Sequence, residues 1–272
     1  MRIKDFFSTH PIFRYDEIKK SMRDKASAND QSLRQALSYY HKQGKLVNIR
    51  RLLYAVKSDM NYADNIDPYL VAGKATNDAV LAYHTALEYH NLAYTTFEEL
   101  YYLSASAGHS FSFQDRRYRS VSYPKTLMEQ KKDSYGIDVV QRQGVALCVT
   151  GLERTIVDIL DRPDLAGGWE EISRSLDHIV QLNMRKLVTY TLLLNKASIA
   201  AKVGFFLERL PEHLSIEKKY INQLLKHIPQ KPYYMDSTQK GAGKGSYVEK
   251  WHLIVPDYLL EQQWDEPHAN DI

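Results

Sequence analysis

At 272 residues the chain is long enough for about two domains of roughly 100–200 residues each. With 44% apolar and 25% charged residues its composition is that of a globular protein, which excludes extended disorder and collagen-like repeats. The longest apolar runs, 145–149 and 253–255, fall far short of the roughly 20 residues of a membrane span. The stretch 1–11 lacks the apolar core of a signal peptide, and the single cysteine, Cys148, cannot form an internal disulfide. A cytoplasmic chain away from the membrane is therefore expected, with Cys148 as a buried small residue in a strand.

The net charge of +3 conceals a segregation. Residues 1–60 hold 13 Lys and Arg against 6 Asp and Glu, a net +7, and the remainder is net −4. Positive charge gathered in the first fifth of a chain points to a polyanionic partner. Asp5-Phe6-Phe7 reads as a short apolar turn before Pro11. Tyr15, Ile18 and Met22 then fall on one face of a helix. After the polar stretch 23–29, Ser27-x-x-Asp30 resembles a capping box that opens a second helix. Leu33, Leu37 and Tyr40 form its inner side, Gly44 stops it, and Gln31, Ser32, Arg34, Gln35, Ser38, Tyr39 and Lys42 are left outside. Beyond Gly44 the period changes to two, and a hairpin with Arg50 and Arg51 at its tip is completed by residues 52–56. Helix, turn, helix and basic hairpin is the order of a winged helix-turn-helix over residues 1–57. Its outward helix face has the side chains that base reading requires. Arg bonds guanine bidentately, Gln bonds adenine, and Ser and Lys reach base edges or phosphates. Arg50 and Arg51 suit phosphates or a minor groove.

Residues 58–66 are polar and read as a linker to 67–272. Helices are predicted at 68–76 and 84–90, and strands at 98–104, 110–114, 118–123, 137–142 and 145–149, the last two joined at Gln143-Gly144. Residues 67–150 thus read as a mixed α/β unit. Helices predicted at 169–182, 184–195, 198–210 and 216–227, with a final strand at 248–255, make 151–272 a mostly helical unit. The fold class is α+β. Arg116, Arg117 and Arg119 fall at a predicted hairpin turn, as a contact for an acidic partner or flanking DNA, or as a solvated turn. His84 and Glu88 read as a core histidine bonded to a carboxylate, since no second His/Cys cluster has ligand spacing. Glu153, Asp158, Asp161 and Asp164 are residue types for a metal site. However, Thr150-x-x-Glu153 reads as a capping box and Asp158 with Arg162 as an i, i+4 pair, so structural duty is expected. Gly241-x-Gly-Lys-Gly-Ser246 does not fit a phosphate loop and reads as an exposed loop. The 20 tyrosines, among them Tyr101-Tyr102, Tyr123, Tyr135 and Tyr233-Tyr234 in or beside strands, fit pleated surfaces, with some available to a partner. No catalytic residue, metal site or cofactor is expected.

Residues 31–55, 67–72 (Asp-Pro-Tyr-Leu-Val-Ala), 83–88 (Tyr-His-Thr-Ala-Leu-Glu), 152–168 (Leu-Glu-Arg-Thr through Asp-Arg-Pro to Gly-Gly) and 251–256 (Trp-His-Leu-Ile-Val-Pro) resemble, in that order, the AbiEi-type antitoxins. These belong to bacterial type IV toxin–antitoxin and abortive-infection (phage defence) systems. The resemblance implies an N-terminal winged helix that binds inverted repeats of operator DNA in its own promoter and represses transcription. It also implies a remainder that neutralises a nucleotidyltransferase-like toxin. It places Gln31, Ser32, Arg34, Gln35 and Ser38 on the recognition helix and Arg50 and Arg51 on the wing. The family's wing commonly carries a Gly near its tip, and this wing has none. Two other readings stay open: a transcription factor with a ligand-sensing C-terminal region, and a DNA-targeted metal-dependent enzyme using Glu153 and Asp158.

Overall fold

A computed structural model describes residues 3–22, 30–57, 66–106, 108–236 and 245–261. The fold is α+β. The chain folds into two compact units that are not sequential: 1–85 with 97–123 and 137–150, and 86–96 with 124–136 and 151–272.

The first unit begins with α1 (Ile3–Thr9), β1 (Ile12–Arg14), α2 (Tyr15–Met22), α3 (Asp30–Lys42), β2 (Leu46–Arg50) and β3 (Leu53–Val56). The three strands form an antiparallel sheet in the order β1-β3-β2. With three helices and the β2–β3 hairpin this is a winged helix-turn-helix. Its core is Phe6, Phe7, Phe13, Tyr15, Ile18, Met22, Leu33, Leu37 and Leu46. The Phe6-Phe7 pair thus belongs to a helix, not a turn. Glu17 caps α2 by accepting the Arg14 N–H at 2.7 Å, the carboxylate half of a capping box. Ser27, the expected cap of α3, lies outside the described residues, as do 58–65 of the expected linker.

The same unit continues with α4 (Pro68–Gly73), β4 (Val80–Leu81), the start of α5 (His84–Tyr89), β5 (Glu99–Leu103), β6 (Ser110–Phe113), β7 (Arg116–Val121), β8 (Ile137–Arg142) and β9 (Val145–Thr150). The six strands make one mixed sheet in the order β6-β7-β5-β4-β9-β8, parallel at β7-β5 and β4-β9. Gln114-Asp115 and Gln143-Gly144 have positive φ at both positions, the requirement of two-residue hairpin turns. Asp67 caps α4 through the Tyr69 N–H, and its other oxygen takes Arg142. Cys148 is half-buried on β9, not buried as expected.

The second unit holds α6 (Lys125–Glu129), α7 (Leu152–Asp161), α8 (Gly168–Leu176), α9 (Met184–Leu193), α10 (Ala197–Leu207), α11 (Lys218–Leu225) and α12 (Asp257–Glu261), with β10 (Tyr233–Tyr234), β11 (Gly245–Val248) and β12 (Leu253–Pro256) in a sheet of order β10-β12-β11. Helix α10 is buried at every position from Ile199 to Leu207. The strand expected at 248–255 is broken by a 3-10 turn at Glu249–Trp251, and Gly245 and Ser246 lie in β11 while 241–244 fall outside the described residues. No described helix is long and apolar enough to cross a membrane.

Candidate nucleic-acid interface

On α3, Leu33 and Leu37 point into the core. Gln31, Ser32, Arg34, Gln35, Ser38, Tyr39 and Lys42 lie on the outer side, Tyr39 exposed to 59%. The 3.6-residue period thus separates an apolar face from a polar one that carries no acid beyond Asp30. Asp30 itself is neutralised: Lys19 Nζ lies at 2.7 Å, Arg34 Nε at 2.9 Å and the Tyr15 hydroxyl at 2.9 Å. Those hydrogen bonds, led by Lys19 and Arg34, hold its carboxyl far below the usual carboxylate range. Arg34 is therefore engaged at the start of α3, with its guanidinium 4.6 Å from the centre of the Tyr15 ring. Gln31, Ser32, Gln35, Ser38, Tyr39 and Lys42 form the rest of the outer face.

The two arginines expected at the wing tip differ in their surroundings. Arg51 is exposed at the tip, but Arg50 is half-buried, its guanidinium 4.7 Å from the centre of the Phe111 ring on β6. The turn contains no glycine; Leu52 takes the left-handed conformation at φ +66°, and its carbonyl accepts the Tyr15 N–H at 2.9 Å. Arg14, which the sequence did not single out, donates to the carbonyls of Lys74 (3.4 Å) and Ala75 (2.8 Å), and Lys74 pairs with Glu17 at 2.7 Å.

The other candidates are dispersed. Arg116 donates to the Phe97 carbonyl at 3.0 Å, Arg117 lies 3.5 Å from Glu99, and Arg119 is exposed. His84 is buried and stacked on Phe97, with ring centres 3.7 Å apart. Asp158 does not pair with Arg162. It is buried against Arg154 at 3.3 Å and accepts the Tyr190 hydroxyl at 2.6 Å, while Arg162 turns to Asp164. Burial pushes the Asp158 carboxyl up, against the Arg154 charge. Glu153 accepts the Asn183 N–H at 2.9 Å, and α7 begins after Gly151 with no side-chain cap, so the Thr150–Glu153 box does not form. Among the described residues no group of three or more His, Cys, Asp or Glu could hold a metal ion. The second unit carries open clefts, one of about 450 Å³ over Leu207, Leu210, Ile216 and Ile221, another of about 540 Å³ between Glu153, Asn183, Arg185 and Tyr220.

The geometry defines a winged-helix protein whose outward helix is polar and free of uncompensated acid. The chain is similar in structure to the RV2827C protein from Mycobacterium tuberculosis, at a TM-score of 0.56 and 15% identity over 92% of this chain and 88% of that one, a likeness of fold. No family model and no curated protein matches the sequence.

Proposed function

We propose that the chain is a cytoplasmic DNA-binding transcriptional autorepressor and antitoxin of the AbiEi type, not an enzyme. Its winged helix reads operator DNA in its own promoter, and the rest of the chain opposes a nucleotidyltransferase-like toxin. The observation that carries the DNA half is the outer α3 face, with Gln31, Ser32, Gln35, Ser38, Tyr39 and Lys42 on a helix whose one acid is neutralised by Lys19 and Arg34. Gln and Ser supply base-edge hydrogen bonds, while Lys42 and Arg51 supply phosphate contacts. A single module of this size buries about 600–1,000 Å² of protein surface, so affinity rests on phosphate neutralisation and falls steeply with salt.

Fluorescence anisotropy with a labelled duplex from the DNA upstream of the gene tests this half. Gln35→Ala weakens the specific duplex by about 1–3 kcal/mol and a scrambled one far less. Lys42→Ala weakens both alike and flattens the salt dependence by about 0.9 in the log–log slope. Binding indifferent to salt overturns the mechanism. For the antitoxin half, the neighbouring gene is co-expressed with the full chain. Rescue of growth supports it, and no rescue by well-expressed protein leaves a regulator. The ligand-sensing alternative has one observation in its favour, the polar cleft at Asn183, Arg185 and Tyr220.

A further inference from the structure

The strands of the winged domain align three residues in one row. Arg14 on β1 pairs with Leu53 on β3, and Leu53 pairs with Arg50 on β2. The register of β2 against β3 slips between Asn48 and Arg50, and Ile49 is buried at the irregularity. Such a bulge re-aims the side chain that follows it. Both arginines of the row leave the winged domain and engage the six-stranded half of the same unit. Arg14 bonds the Lys74 and Ala75 carbonyls, and Arg50 lies over Phe111, whose ring stacks on Tyr118 at 4.8 Å and 13°. Arg50 also lies beside Tyr102, where its charge works against the burial that raises the phenol's pKa.

We propose that Arg50 is a wing-positioning residue, which latches the β2–β3 hairpin onto β6 and leaves Arg51 as the tip charge that meets DNA. The functional half of this inference rests on the DNA-binding reading above; the latch does not. A guanidinium packed over an aromatic ring is a delocalised, weakly hydrated cation whose contact a compact, strongly hydrated ammonium reproduces poorly, so charge alone does not preserve it. Held over Phe111, Arg50 is not available as a bidentate phosphate ligand, and its contribution to binding passes through the orientation of the wing. The sheet formed by β4–β9 is then part of the DNA-reading body.

Two measurements on the full-length protein decide this. In the first, the labelled upstream duplex is titrated over a range of salt. Arg50→Ala and Phe111→Ala each weaken binding by about three- to tenfold with the salt slope unchanged. The double variant is no weaker than either single one, because both remove the same contact. Arg50→Lys behaves like Arg50→Ala, and Arg51→Ala lowers the slope by about 0.9. A flattened slope in Arg50→Ala with wild-type binding in Phe111→Ala identifies Arg50 as a phosphate contact and overturns the proposal. The second measurement is amide exchange without DNA. Protection of residues 46–56 falls in both single variants while the rest of the chain is unchanged. Wild-type protection in both sinks the latch. If the wild-type protein does not bind the duplex, the DNA-binding reading falls, and the exchange comparison alone decides whether Arg50 holds the wing.

Discussion

Gly204 sits where no side chain fits. A Cβ built there meets Cη2 of Trp251 at 2.0 Å and Cζ3 at 2.1 Å, so the glycine lets the buried indole lie against the backbone of α10. The ring cannot easily swing away, because its Nε1–H donates to Glu208 at 2.8 Å and that carboxylate also holds Lys250. Gly204→Ala is therefore an overpacking substitution, worth about 1–3 kcal/mol of lost stability even though alanine is the better helix former. A urea titration checks it: the midpoint falls and the slope is unchanged. A midpoint at the wild-type value means that the indole has somewhere to go. Glu171 shows the opposite case of a polar group made at home in the interior. It is buried but accepts the Tyr94 and Thr95 N–H groups and the Thr95 and Ser175 hydroxyls.

At the scale of elements, α2 and α3 are joined at one carboxylate. Asp30 lies at the start of α3 and gathers Tyr15 and Lys19 from α2 together with Arg34 from the next turn of α3. Its pKa in the folded chain is below the value near 3.9 of an unfolded aspartate. The contribution is therefore complete at neutral pH and is lost as the pH falls below about 4 toward the folded value. Asp30→Asn lowers the melting temperature at pH 7, and the gap to the wild type begins to narrow as the solution is acidified below about pH 4 and goes on shrinking at lower pH. A gap of constant size at all pH values would show that the charge of Asp30 is not what joins the helices. Much at this scale was legible in the sequence. The inner faces of α2 and α3 follow from apolar spacing, and the β8–β9 hairpin from alternation around Gln143-Gly144. The elements that escaped are short. Val80–Leu81 is an interior strand of the larger sheet, yet two residues have no period. Ile12–Arg14 is recognisable as a strand only because Leu53–Ala55 lies beside it. The helix expected at 169–182 stops at Leu176, and Asp158 chose Arg154 one turn before it over Arg162 one turn after, both at the same sequence spacing.

At the scale of the whole molecule, the chain order of domains is not their spatial grouping. The winged helix shares a compact unit with the six-stranded sheet, while 86–96 and 124–136 join the helical unit. The sequence shows a polar stretch after residue 57 and hence a linker between independent domains. It cannot show that Arg14 finds its acceptors at Lys74 and Ala75, because carbonyl acceptors have no side-chain signature. The buttress formed by Arg14, Glu17 and Lys74 has a thermodynamic consequence. A charged hydrogen bond contributes about 1.5–3 kcal/mol, and in a molecule of this size each kcal/mol corresponds to about 2–4 °C. Calorimetry of the full chain should find the winged helix and the six-stranded sheet unfolding together. In the Arg14→Ala/Lys74→Ala double variant the winged helix should melt in a separate, earlier step, several degrees lower. Glu17 is left in place there because it also caps α2, and removing it would mix a helix defect with the loss of coupling. Two transitions already in the wild type would mean that the winged helix is an independent domain on a tether. Under the proposed function, a toxin bound to the rest of the chain would then have no mechanical route to the helix proposed to read DNA. One transition that splits on removing two side chains would mean that the winged helix and the six-stranded sheet fold as one body, so that, under the proposed function, a partner on the sheet is coupled to the helix proposed to read DNA.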